Sequence, residues 1–140
     1  MKKSLIVTFW LLVGVFAFGV GQFITPLLRG PLFLVPFLVF FLLGIALLVL
    51  TLKEKMAGKL KKFLLLTSAS AIGFFLFILL HNLVYALFIY FFGENFWERI
   101  GLGDERFFFF LAIIVCPIGF LIGVVGSGTL LLKRKLRKAS

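Results

Sequence analysis

Side chains able to do acid–base, nucleophilic or metal chemistry are scarce in this chain. Its 140 residues include five acids, one histidine and one cysteine. A lone cysteine cannot close an intrachain disulfide, and without a CxxC the paired-thiol class of redox enzyme is excluded. One His and one Cys fall short of the three protein ligands that a zinc site requires, so no metal site is expected within one chain. A haem held between two histidines would need two copies. Walker, Rossmann, zincin and GxSxG patterns are all missing, so no cofactor is expected and the reading leans away from an enzyme. Long polar stretches are lacking too, which leaves no room for a separate soluble domain, and residues 1–140 are read as one domain.

What fills the chain is hydrocarbon. Hydrophobic residues make up 63% of it, 21 are phenylalanine, and the mean hydropathy is +1.23. That exceeds the apolar share of a soluble domain, so the surrounding medium must be largely lipid. Most of the phenylalanines are expected to face acyl chains, a Phe-lined pocket for a quinone, carotenoid or sterol being the alternative. The net charge of +10 would suggest nucleic acid in a soluble protein. Here the basic residues cluster at the ends of apolar runs, so nucleic acid is not expected and the membrane surface is.

Four apolar runs, at about 5–25, 32–52, 63–92 and 107–132, are each long enough to cross a ~30 Å hydrocarbon layer as a helix. They predict an all-α, four-transmembrane-helix antiparallel bundle. The basic start and the small residues Ala17 and Gly19 also have the form of a secretory signal, so cleavage of the first run stays open. Pro26, Gly30 and Pro31 separate the first two runs, and Pro36 falls in the first turn of the second, where a missing N–H costs least. The lysine-rich stretch 53–62 is predicted to be a loop. The third run must tilt strongly or project beyond the bilayer, and Gly93 is a natural stop. Between the last two runs, Asn95 and Glu98 resemble a capping pair, which predicts a short interfacial helix with Trp97 at headgroup depth.

Twelve of the fifteen basic residues lie at the two termini and in 53–62, against Arg29, Arg99 and Arg106 in the other connections. This bias predicts a multi-pass protein of the cell membrane with N- and C-termini cytoplasmic. Lys53, Lys55, Lys59, Lys61, Lys62, Lys133, Arg134 and Lys135 are candidates for contact with anionic lipid.

Polar and small residues within spans report on packing, because a helix facing only lipid has no use for them. In the third span Thr67, Ser70, Phe74, His81, Tyr85 and Phe88 recur at steps of three and four, with one double step, and Asn82 lies beside them. The fourth has Cys116, Gly119, Gly123 and Gly126, including a GxxxG, and the first has Gly14, Ala17 and Gly21. Matching outer helix ends places His81 at the depth of Cys116 and Gly119, with His81 and Asn82 turned inwards. Pro117 predicts a kink, and its freed carbonyl would find a partner in His81, Asn82 or water.

His81, Asn82, Tyr85 and Cys116 are therefore the candidate polar site, weighed against a purely structural role. The acidic loop residues Glu94, Glu98, Asp104 and Glu105 are expected to form solvated ion pairs and helix caps. The function favoured is a non-catalytic subunit or scaffold of a membrane complex, with a membrane-protein partner or a second copy of the chain beside it. Two alternatives are a small oligomeric pore or carrier lined by the third span's polar stripe, and a lipid-facing enzyme or cofactor site around His81 and Cys116.

Overall fold

The computed structural model describes all 140 residues, and they form helices with no strand. Helix α1 spans Lys3–Ile24; a single 3-10 turn at Gly30–Leu34 leads into α2, Val35–Lys53; α3 spans Lys59–Phe92, and α4, Phe96–Arg99, is one short turn. Helix α5 occupies Phe107–Ala139, regular except for a widened π turn at Leu111–Val115. Helices α1, α2 with its leading turn, α3 and α5 are each long and apolar enough to cross a membrane. Together they make an antiparallel four-helix bundle.

Local chemistry sets the ends. Gly58 and Gly93 flank α3 with φ of +83° and +95°, backbone geometry that a side chain would strain, and the Gly93 N–H closes the helix on the Ile89 carbonyl. At the end of α1, Gln22 is 2% exposed and its Oε1 accepts the N–H groups of Leu27 and Leu28, both at 3.0 Å. One buried amide thereby ties down the turn that Pro26 begins. Pro36 falls in the first turn of α2. At the opposite end of the bundle, the Lys2 N–H donates to Glu54 Oε1, placing the N-terminus against the α2–α3 connection.

Two interfaces of different character hold the bundle together. The core is apolar: Leu5, Phe9 and Leu12 of α1 meet Phe40 and Leu47 of α2, Leu60, Leu64 and Ala71 of α3, and Phe120 and Leu131 of α5. Burying each of the leucine and phenylalanine side chains is worth about 1.5–3 kcal/mol in water; in lipid the gain comes from close packing instead. The α3–α5 seam shows such packing. A Cβ on Gly119 would lie 2.6 Å from Ser70 Oγ, one on Gly123 2.8 Å from the Thr67 nitrogen, and one on Gly126 2.5 Å from the Phe63 ring.

Gly14, Ala17 and Gly21 do not form a comparable stripe. Gly14 and Ala17 are exposed, and a Cβ on Gly14 or Gly21 would meet nothing within 4 Å. Helix α1 instead turns its bulky Leu5, Phe9, Leu12, Phe16 stripe inwards and reaches α5 through rings, with Phe16 and Phe120 centroids 4.6 Å apart. Small residues permit close backbone approach without compelling it, and the large side chains fill more of the interior.

The seam also fixes the relative depth of α3 and α5. Gly73 faces Cys116, Phe77 stacks on Phe108, and His81 lies against Phe109. The first turn of α5 is thus level with His81, and the eleven residues from His81 to Phe92 carry α3 about 16 Å further. Equal outer ends, which would put His81 beside Cys116, are not what the chain adopts. At the other end α5 outruns α3 and carries its basic tail in helical form to Ala139. Helix α4 folds back on the projecting part of α3. Trp97 is 7% exposed, stacks on Tyr85 at 5.9 Å and donates from Nε1 to the Tyr85 carbonyl at 3.2 Å. Asn95 gives α4 no side-chain cap, so the predicted capping pair is not made.

Candidate functional site

The polar residues of α3 fall into two groups. In the inner half, Thr67 donates to the Phe63 carbonyl at 2.8 Å, and Ser68 donates to the carbonyls of Leu64 and Leu65 at 3.0 and 3.1 Å. Both hydroxyls are satisfied within their own helix, so Thr67 can sit under Gly123 of α5 without a partner there.

His81 cannot reach a carbonyl in this way, and its partners come from outside α3. Its Nδ1 lies 2.9 Å from Glu105 Oε2, and Nε2 lies 3.9 Å from Asp104 Oδ1. Glu105 is 5% exposed, and its other oxygen accepts the Phe108 N–H at 3.0 Å, capping α5. Asp104 Oδ1 in turn accepts the Glu105 N–H at 2.7 Å. Burial on its own would push the Glu105 carboxyl up. The Phe108 N–H, then His81, then the N–H groups of Phe107 and Phe109 outweigh it and hold the carboxyl below its ordinary value. With Glu105 ionised at the positive end of the α5 dipole, the proton of the His81–Glu105 bond sits on Nδ1.

The remaining candidates are dispersed. Asn82 is exposed and donates to the Ile78 carbonyl of its own helix at 2.9 Å, so it is not turned into the bundle. An amide able to bond back one turn needs no neighbour, which sequence spacing alone does not reveal. Tyr85 lies one turn beyond His81, under Trp97. Cys116 is buried, within van der Waals distance of where a Gly73 side chain would begin. Gly73 and His81 are eight residues apart, about 12 Å along the axis, so no Cys–His couple is assembled. No group of three or more His, Cys, Asp or Glu residues is arranged to hold a metal ion.

Pro117 behaves differently from a simple kink. The helix ahead of it opens into the π turn, and the Cys116 N–H donates to the Leu111 carbonyl five residues back. Neither His81 nor Asn82 serves the carbonyl freed by the proline, because each bonds elsewhere. Local widening relieves the backbone instead.

Beside this turn lies a cavity of about 340 Å³ enclosed by α1, α2, α3 and α5. Its wall is aromatic and aliphatic, with Phe16, Phe37, Phe40, Phe74 and Phe120 among the lining and Ser70 and Cys116 as its only hydroxyl and thiol. It is separate from the His81–Glu105 pair. Sequence reasoning offers a Phe-lined pocket without placing it, and expects Glu105 as a cap or solvated ion pair; it misses that the acid is buried against His81. The acid's position just ahead of a helix signalled a cap; the imidazole it would meet depended on the stagger of α3 and α5.

No family model matches the chain, and neither a curated protein nor a solved structure matches it.

Proposed function

We propose that the protein is a non-catalytic subunit or scaffold of a membrane complex, lying in the cell membrane with both termini cytoplasmic. The observation carrying this reading is the fate of the polar side chains of α3. Thr67 is bonded to its own backbone beneath Gly123 of α5, Ser68 is bonded to its own backbone, and His81 is closed against Glu105. These groups are spent on protein partners rather than on a water-filled path. The basic end supports the orientation: Lys2 and Lys3, the lysines of 53–62 and the α5 tail gather at one end, where each basic residue near an anionic surface is worth roughly 1 kcal/mol.

Purification from native membranes in mild detergent tests the assignment. A partner at fixed stoichiometry is expected, together with no solute or ion flux after reconstitution of the pure chain. A chain that runs alone and conducts would sink it. For orientation, a cysteine introduced at Ser140 is expected to be blocked by a membrane-impermeant maleimide only after cells are opened; blocking in intact cells would reverse the assignment.

A further inference from the structure

The cavity beside the π turn has its mouth in the bilayer itself. Val20 and Phe23 of α1 and Ile113 of α5 line it and are exposed, 46%, 71% and 41% respectively, whereas Phe40 and Phe120 deeper in the wall are 7% and 1% exposed. All five residues lie in the segments long and apolar enough to span a membrane. The medium at the mouth is therefore hydrocarbon. Water has almost no polar partner inside, and a void of this size would leave the rings around it without contacts. Gly19 keeps the space open: it is buried, it lines the cavity, and a Cβ there would meet nothing within 4 Å.

We propose that one acyl chain of a bilayer phospholipid occupies this cavity, entering between α1 and the π turn of α5. The site is of the size of ordinary ligand pockets. Seven residues separate Phe23 at the mouth from Phe16 in the wall, a helical rise of about 10 Å, which suits a chain end rather than a whole lipid. Bound there, the chain packs against Phe16 and Phe120, where α1 approaches α5 through side chains alone. It completes an interface that the protein leaves unfilled, and this holds whether or not the scaffold reading is correct.

The test uses the full chain in phosphatidylcholine vesicles that include a phosphatidylcholine with a photoactivatable diazirine on its acyl chain, with adducts mapped by mass spectrometry. Adducts on Phe40 and Phe120, out of reach from the outer surface, are expected alongside those on outward-facing Leu38 and Leu121. Gly19→Leu, which fills the cavity, and Val20→Trp, which obstructs the mouth, should each lower the Phe40 and Phe120 adducts at least fivefold and leave the Leu38 and Leu121 adducts unchanged. Two variants at different depths keep the test valid if one fails to fold. Missing Phe40 and Phe120 adducts in the wild type, or adducts equally abundant in a folded variant, would overturn the proposal. Loss of those adducts on adding a few mole per cent of an isoprenoid quinone would overturn it too, by showing a dedicated prenyl ligand.

Discussion

The inner half of α3, residues 63–73, and its outer half, 74–92, are both apolar helix with a few polar side chains, and they treat the ones that meet α5 in opposite ways. In the inner half the polar groups are short hydroxyls, of which Thr67 and Ser68 bond one turn back, so the neighbouring helix has only to be small, and glycines of α5 approach until a single methyl would collide. In the outer half Asn82 also bonds one turn back on the exposed face, but the polar group turned towards α5 is an imidazole with no carbonyl in reach, so its partner is a carboxylate from a loop, and rings rather than backbones make the contacts. A short side chain permits a tight seam; a long one requires a partner brought in by chain topology.

Gly123→Leu attacks the tight half and should have the largest effect. Its first added carbon would meet the backbone at Thr67 and Phe63, 2.8 and 3.0 Å away, and backbone cannot swing aside. A loss of about 3 kcal/mol or more is expected in a denaturant titration of detergent-solubilised protein, whereas Gly14→Ala, into open space, should stay within about 0.5 kcal/mol. Equal losses would mean that the two glycine stripes pack alike.

Glu105→Ala attacks the loose half. It removes the partner of His81 and the cap of α5 together, and about 2–3 kcal/mol should be lost. Because the Glu105 carboxyl is held below its ordinary value, its contribution is fully present above the unfolded pKa of about 4.3 and is lost as pH falls through the lower folded value. The gap between wild type and Glu105→Gln, followed by thermal denaturation across pH 3–7, should therefore close on acidification; a constant gap would contradict the pairing.

Ser127 sharpens the comparison, since its hydroxyl is fully buried and has no hydrogen-bond partner. Ser127→Ala should stabilise the bundle by about 1 kcal/mol in the same titration. Smallest of all is Asn82→Leu, expected within about 0.5 kcal/mol because the amide lies on the exposed face and serves only its own helix.

The contrast also explains what sequence can disclose. Apolar runs and the glycines beside them mark the four helices, because helix length and backbone freedom are local properties. The direction in which Asn82 points is not local: an amide that bonds back one turn can face lipid, while its spacing looks the same as that of one turned inwards. Nor is depth. Length says that α3 is longer than a bilayer requires, but only the meeting of Ser70 with Gly119 and of Thr67 with Gly123 reveals that the excess lies beyond His81, next to Glu105. In α1 the small residues are the expected inner face, and the bulky Leu5, Phe9, Leu12 and Phe16 stripe takes it instead because the choice belongs to the volume left by α2 and α5.

The widened turn at Leu111–Val115 gives α5 slack as well as room for its proline. The π turn closes its hydrogen bond over five residues where regular helix closes over four, so dropping one there can be absorbed by reverting to regular helix, with both flanks keeping their azimuth and Pro117 returning beneath a carbonyl. The same deletion at Val124 has no such buffer and would swivel everything after it by about 100°, taking Gly126 away from Phe63. Changes in the length of this helix are thus tolerable at a single address, beside the cavity mouth.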